Sequence, residues 1–243
     1  MSLTVGTGPF GHHPAGRFNV EIEAPDGIAY FERIPHRIRA FRRGDLVVDS
    51  TNVHLLHESG KLPVFWFPED DVREQKLARR RDDPLLAGFA TIEWVDAEEW
   101  FCEDEQIFGH PRDPYSRIDV YRTTRHARVL RGGELLAESR RAKILFETGL
   151  PPRYYLPPDD VRTDLLVSSP SKTRCAYKGS ASYFSVRLGD RLVEDLVWTY
   201  PDPQHDAEPV RDLLCFFNER VDLELDGEPQ ERPRTQWTRA DDS

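Results

Sequence analysis

An internal repeat constrains this chain more than any other feature of its sequence. Residues 39–73 align without a gap to residues 128–162, a shift of 89, and 14 of the 35 paired positions are identical. Similarity at a fixed interval indicates that one folding unit occurs more than once. The 243 residues are therefore predicted to form two modules, over 17–110 and 117–228, with flexible tails over 1–16 and 229–243. Each module is then close to the usual size of a domain.

The two halves diverge after the repeat. A weaker three-residue match resumes later at a shift of 126, which exceeds the first shift by 37 residues. It pairs Glu93, Val95 and Asp96 with Glu219, Val221 and Asp222. The second half thus has an extra segment within residues 167–213, and the first module is predicted to be a degenerate copy.

Turn and strand patterns favour a mainly β fold with short helices. Gly132 and Gly133 lie between two strand-like segments, and a glycine pair suits the positive φ angles of a tight hairpin turn. Segments 142–147 and 153–156 are predicted strands because aromatic and β-branched residues are frequent in them. Residues 157–160, two prolines followed by two acids, are typical of the first turn of a short helix.

The extra segment of the second half contains the clearest predicted hairpin. Residues 183–188 alternate apolar and polar side chains, and Gly189-Asp190 supplies the turn. The return strand, 191–200, is expected to present one apolar face. That face would contain Leu192, Leu196, Trp198 and Tyr200. Residues 208–220 are compatible with a short helix or, around Phe216, with a strand.

Composition argues against several classes of function. The net charge is −10, whereas nucleic-acid binding needs a cationic surface. The longest apolar runs are far shorter than the ~20 residues of a membrane helix, and the N-terminal residues do not have the pattern of a secretory signal. A cytoplasmic protein without a nucleic-acid or membrane partner is therefore expected. Its three cysteines form no C-x-x-C pair, so we predict no metal site and no cofactor.

Four strings carry a resemblance to a known family: ETGLPPRYYLPPDDVR, CAYKGSASYFSV, VWTYPDP and GHPRDPYSRIDV. With these the chain resembles domain-of-unknown-function family 427 (DUF427), in a tandem two-copy form, over about residues 17–228. The resemblance implies two modules similar to the β-tent proteins, each an open curved sheet with a pocket between its leaves. It brings no established activity and no catalytic residues.

A nucleotidyltransferase label sometimes attached to this family is not supported by the residues. Such an enzyme needs Gly-Ser followed about ten residues later by two acids spaced two apart. Gly179-Ser180 is followed by Asp190, but Leu192 occupies the position of the second acid.

Polar and aromatic residues found only in the second half are the candidate ligand-binding set. Arg153-Tyr154-Tyr155 replaces the apolar Val64-Phe65-Trp66 of the first half. The complete set is Arg153, Tyr154, Tyr155, Lys178, Ser182, Tyr183, Trp198 and Tyr200. Aromatic walls with a few donors are typical of small-molecule sites, and arginine with lysine suits a carboxylate or phosphate. The competing interpretation is that the aromatic residues only pack the hairpin.

Two residues are candidates for chemistry, and the sequence leaves open whether any reaction occurs. Lys178 would be a base or an amine nucleophile if burial lowered its pKa, but a lysine next to glycine is more often an exposed loop charge. Cys175 would need a base, and the one histidine after residue 127, His205, lies in a proline-flanked loop. Glu147, Asp160 and Arg162 have identical counterparts in the first half and are predicted to be structural.

The sequence thus predicts a soluble protein of two β modules whose second module binds a small, anionic organic molecule and acts on it if the chemistry allows. The alternative is a non-catalytic interaction or scaffold protein. Convergence of Arg153, Lys178 and a tyrosine in one pocket would favour the first hypothesis.

Overall fold

The computed structural model describes residues 3–21, 27–235 and 237–239. Its strands pair in antiparallel sheets and its helices are short 3-10 turns, so the predicted mainly β fold is confirmed. The chain divides into two compact units. Unit 1 contains residues 1–116 and 148–150, and unit 2 contains residues 117–147 and 151–243. Across the described ranges, none of the helices has the length and apolar character needed to span a bilayer.

Unit 1 contains two four-stranded sheets, ordered β1-β4-β5-β6 and β3-β2-β7-β8. Its strands are β1 (Ala29–Ile34), β2 (Ile38–Arg42), β3 (Asp45–Ser50), β4 (Val53–Glu58), β5 (Val64–Pro68), β6 (Phe89–Ala90), β7 (Glu99–Cys102) and β8 (Glu105–Ile107). Its 3-10 helices span Glu69–Asp71, Pro84–Leu86 and Trp94–Asp96. The main core lies where apolar residues of both sheets pack together, around Ile38, Leu55 and Phe67.

Unit 2 contains one four-stranded and one seven-stranded sheet, ordered β11-β10-β18-β19 and β14-β15-β16-β17-β13-β12-β9. Its strands are β9 (Ile118–Arg122), β10 (Ala127–Arg131), β11 (Glu134–Ser139), β12 (Lys143–Glu147), β13 (Arg153–Leu156), β14 (Leu166–Cys175), β15 (Gly179–Leu188), β16 (Arg191–Pro203), β17 (Leu214–Phe216), β18 (Asp222–Leu225) and β19 (Glu228–Pro229). Its 3-10 helices span Pro158–Asp160, Thr163–Leu165 and His205–Val210.

Strand pairings recur in the two units at the interval seen in the sequence. Val48 bridges Val72 in unit 1, and Ala137 bridges Val161 in unit 2, each residue 89 positions later. The same interval relates β2–β3 to β10–β11 and β1–β4 to β9–β12. The glycines of the β10–β11 turn have φ angles of 58° and 82°, as expected for that hairpin.

The later match differs from the predicted shift of 126. Glu99 pairs with Phe41, whereas Asp222 pairs with Leu130, the counterpart of Phe41. The shift is therefore 123 at this strand, and the turn residues Glu103 and Asp226 agree with it, because their φ angles are 50° and 57°. The match of Val95-Asp96 with Val221-Asp222 was misleading, because unit 1 has three more residues than unit 2 between this match and the strand.

The long hairpin of unit 2 has the predicted turn, but the predicted apolar face of its return strand is wrong. Trp198 and Tyr200 lie in one cluster, Leu196 lies with Val197 in another, and Leu192 is exposed. A register shift between β15 and β16, together with a φ of 49° at Asp195, breaks the period-two alternation. The ambiguous segment 208–220 contains the end of a 3-10 helix and then β17.

The seven-stranded sheet has an apolar core on each face. One face contributes Leu156, Val197 and Phe216 to the main core of unit 2. The adjacent residues Tyr155 and Trp198 lie in a second cluster on the opposite face, since successive strand residues point in opposite directions. We call this second face the polar face, because the candidate residues concentrate there.

Candidate functional site

The polar face collects side chains from five neighbouring strands of the sheet. Tyr183 extends from β15, Trp198 and Tyr200 from β16, Cys215 from β17, Arg153 and Tyr155 from β13, and Glu147 from β12. Alternation along β13 explains why Arg153 and Tyr155 share this face while Tyr154 packs against the other core.

Arg153 is buried and bound on both of its terminal nitrogens. It donates two hydrogen bonds to the Glu219 carboxylate, each 2.7 Å long, a two-pronged geometry particular to arginine. Its guanidinium lies 5.5 Å from the Trp198 ring centre and 5.4 Å from that of Trp237. The hydroxyl of Thr235 donates a further 2.6 Å bond to Glu219. Burial would raise the pKa of Glu219, but the hydrogen bonds and charge of Arg153 outweigh it and lower that pKa.

Lys178 is also paired with a buried acid. Its ammonium donates to Glu147, and the exposed fractions of the two side chains are 12% and 7%. Lys178, for which an exposed loop position was the competing interpretation, thus reaches into the polar face and forms an ion pair with Glu147. Both cations of the candidate site are therefore neutralised by carboxylates of unit 2.

Phenol, indole and thiol groups lie beside these ion pairs. The Trp198 indole donates a 3.1 Å hydrogen bond to the Tyr155 hydroxyl. Burial raises the pKa of Tyr155 and of Tyr200 well above the ordinary value for tyrosine. Burial likewise raises the pKa of Cys215. These groups stay neutral at physiological pH, so the ion pairs provide the charge on this face.

Three of the remaining predicted residues lie at the rim or on the other face. Tyr183 is half-buried, and its hydroxyl is 2.7 Å from the Thr173 hydroxyl. Ser182 accepts a hydrogen bond from Lys172, and its neighbours in sequence contribute to the polar face instead. Cys175 ends β14, half-buried, where its sulfur accepts a 3.5 Å bond from the Tyr177 N–H. His205 is almost fully exposed.

A cavity of about 450 Å³, which we call the unit 2 cavity, opens at the edge of the polar face. Three basic residues, one acid and three aromatic rings are among its lining. It is lined by Ser171, Lys172, Thr173, Tyr183, Asp195, Phe217, Arg220, Trp237 and Arg239. Tyr183 belongs to the predicted ligand-binding set, and Lys172 donates a hydrogen bond to Ser182, another member of that set. Arg153 and Lys178 are not among the lining residues, but Trp237 and Phe217 connect the cavity to the Arg153 guanidinium.

Four residues of this region were missed in the sequence. Glu219 enters the sequence analysis only through the match between the two halves, Lys172 and Arg220 belong to none of the predicted site residues, and Trp237 lies in the predicted tail. An acid at 219 could have been sought, because a buried arginine needs a carboxylate partner. The position of Trp237 has no sequence signal that we recognise.

The fold and site define a mainly β protein whose second unit holds two buried ion pairs beside a basic, aromatic cavity. The chain belongs to the family described as domain of unknown function 427 (DUF427), whose model matches residues 30–84 and 119–227. The predicted family is thus confirmed. No curated protein matches the chain.

Proposed function

We propose that the chain is a tandem pair of related β modules whose second module binds a small, anionic organic molecule in the unit 2 cavity. The observation that carries the proposal is the lining, where Lys172, Arg220 and Arg239 outnumber Asp195 and where three aromatic rings provide flat walls. Cavities with apolar walls and a few placed polar groups are the usual form of small-molecule sites. The recurrence of strand pairings at an interval of 89 supports the tandem relationship.

The cavity, rather than the ion pairs, is assigned to the ligand. Arg153 and Lys178 have carboxylate partners at hydrogen-bonding distance, so a ligand anion would have to displace a buried acid to reach either of them. Lys172 donates to a neutral hydroxyl, that of Ser182, and can turn to an anion at lower cost. We therefore place the Arg153–Glu219 pair beneath the site, where the guanidinium holds Trp198 and Trp237 in position.

A charge-matched series of small aromatic compounds tests the proposal. Phenyl phosphate and benzoate are anionic, benzyl alcohol is neutral and benzylamine is cationic. We expect the anions to raise the melting temperature of the full chain, since a ligand at 100 times its Kd stabilises a protein by ~2.7 kcal/mol. Lys172→Gln should weaken this effect. Arg191→Gln, which changes an exposed cation of unit 2 outside the cavity, should leave it unchanged.

Two results would overturn this function. Either the anions fail to shift the melting temperature, or benzylamine shifts it as much as they do. Equal responses from Lys172→Gln and Arg191→Gln would remove the cavity from the proposal, because the shift would then arise elsewhere.

The alternative, a non-catalytic interaction protein, is favoured by one observation. Tyr121 and Phe146 are 56% and 43% exposed and lie side by side on the sheet face opposite the polar face, with ring centres 6.2 Å apart. Exposed aromatic pairs are frequent at protein interfaces. On this alternative, Tyr121→Ser combined with Phe146→Ser lowers self-association in sedimentation, whereas the ligand-binding function predicts no change there.

A further inference from the structure

Unit 1 contains a cavity of about 720 Å³ that the proposed function does not use. We call it the unit 1 cavity. Its floor is apolar and is formed by core residues of both sheets. They are Ile34, Ile38, Leu55, Phe65 and Ile107. A floor of this kind accommodates the hydrocarbon part of a ligand, because removing apolar surface from water is favourable.

The rim of the unit 1 cavity is acidic. The turn between β7 and β8 and the first residue of β8 contribute three consecutive acids, and acids outnumber arginines five to two around the whole cavity. The charged lining residues are Glu32, Glu103, Asp104, Glu105 and Asp113, with Arg33 and Arg112 opposing them. The rim therefore favours a positively charged group.

Three of these acids are already engaged. Asp104 pairs with Arg39 at 2.9 Å, and the buried Asp113 accepts a 2.8 Å hydrogen bond from the Tyr115 N–H. Glu32 accepts a 3.0 Å hydrogen bond from the Tyr115 hydroxyl, and its other oxygen is 2.9 Å from the buried His57 ring. Glu103 and Glu105 are the acids that face the cavity with the least satisfied charge.

The equivalent turn of unit 2 shows what Glu103 lacks. Asp226 corresponds to Glu103 by strand pairing, and each accepts a 2.8 Å hydrogen bond from a backbone N–H, that of His126 or of Arg37. Asp226 also holds the Arg125 guanidinium at 2.8 Å. The counterpart of Arg125 in unit 1, 89 residues earlier, is His36. Within the described chain, Glu103 forms no ion pair with a lysine or an arginine.

We propose that the unit 1 cavity binds an organic cation with an apolar tail, of the primary alkylamine class. The ammonium group takes at Glu103 the place that Arg125 takes at Asp226, and the tail lies against Ile38, Leu55 and Phe65. The apolar floor and the acidic rim are adjacent, so one molecule satisfies both. This proposal is independent of ligand binding in unit 2.

Cys102 provides a local readout, because it lines this cavity and is half-buried. The full chain carrying Cys175→Ser leaves Cys102 as the accessible thiol, since Cys215 is fully buried. The rate of Cys102 alkylation by N-ethylmaleimide is then measured with octylamine or with octanoate, which has the same chain length and the opposite charge. We expect octylamine to slow alkylation at concentrations where octanoate has no effect.

Two substitutions test the role of Glu103, each judged against its own ligand-free alkylation rate. Glu103→Gln removes the charge but keeps an oxygen that accepts the Arg37 N–H. His36→Arg supplies the resident cation that unit 2 has. Each should raise the octylamine concentration needed for half-protection about fivefold, the size of effect expected for a partly exposed charge contact. Glu99→Gln, at an exposed acid of β7 outside the cavity, should not change it.

The proposal fails if octylamine gives no protection, or if octanoate protects equally well. It also fails if Glu103→Gln and His36→Arg both bind octylamine as the native protein does.

Discussion

The two units place different chemistry on the same strand framework. In unit 2 the face of β13 opposite the main core presents Arg153 and Tyr155, whereas in unit 1 the equivalent face of β5 presents Val64 and Trp66. The apolar version encloses a small cluster around Leu56 and Leu86. The polar version forms a second core with two ion pairs.

The acid shared by the two units shows what permits a buried charge. Glu147 and its counterpart Glu58 occupy the same position at the end of equivalent strands. Glu58 pairs with Arg81 at 2.8 Å in a partly exposed setting, whereas Glu147 is buried with Lys178, which the extra segment supplies. The same carboxylate is therefore buried in the unit where Lys178 pairs with it, and it stays partly exposed in the unit that has no counterpart of this lysine.

The largest effect on stability is expected when Arg153 of unit 2 is replaced by valine, the residue at the equivalent position of unit 1, Val64. Arg153→Val should lower the free energy of unfolding by ~3–5 kcal/mol, because Glu219 is left charged and buried without its partner. Urea denaturation followed by tryptophan fluorescence measures this loss. Adding Glu219→Gln should recover most of it; a double variant as unstable as the single one would show that packing, not charge, dominates here.

The next prediction compares the partners of the shared acid. Lys178→Met should lower the free energy of unfolding by ~3 kcal/mol, because it leaves Glu147 buried without its partner. Arg81→Met should lower it by less than ~1 kcal/mol, because the pair of Arg81 with Glu58 is partly exposed. Both values come from urea midpoints of the full chain. Similar costs for the two variants would contradict the difference in burial between the units.

A smaller effect should appear on acidification. The pKa of Glu219 in the folded chain lies below the ordinary 4.5. As the pH falls, the Glu219 carboxylate is therefore protonated in the unfolded chain before it is protonated in the folded chain. The stability due to the pair is therefore complete above pH 5 and decreases as pH falls through the folded pKa. Relative to the Arg153→Val, Glu219→Gln double variant, the native protein should lose stability between pH 5 and pH 3. A constant difference over that range would argue against a charged Glu219.

The smallest predicted effect is a gain in unit 1. Arg43 has a φ of 52° in the β2–β3 turn, where its counterpart Gly132 has 58°. Side chains other than glycine are strained in this left-handed region by ~1–2 kcal/mol. After allowance for the greater freedom of an unfolded glycine, Arg43→Gly should stabilise the chain by up to ~1 kcal/mol, measured by thermal unfolding. The converse change, Gly132→Arg, should destabilise it.

The sequence was most informative where structure depends on local pattern. The glycine pair at 132–133 and the Gly189-Asp190 turn define hairpins through backbone freedom alone, and the short helix after Pro157 follows from its prolines and acids. These features were predicted correctly. Alternation along β16 was not, because the irregularity at Asp195 leaves no compositional signal, and one displaced residue moves every later side chain to the other face.

The site was harder to predict because it depends on contacts distant in sequence. Arg153, Tyr155, Trp198 and Tyr200 were selected because unit 1 lacks them, and they do lie on one face. Their partners could not be selected in the same way: Glu219 is 66 residues from Arg153. Lys178 and Glu147 are 31 residues apart, and the repeat by itself does not indicate that they form a pair.

The extra hairpin also leaves unit 2 with a long sheet margin. β14, the outermost strand of the seven, extends over ten residues and pairs within the sheet on one side only, with β15. Such a margin can recruit strands from other molecules into aggregates. Pro170 removes one donor, Lys172 and Arg174 add charge, and the pairing irregularity between Ser168 and Lys172 distorts the strand. The segment that distinguishes unit 2 from unit 1 therefore contains its own protection against misassembly.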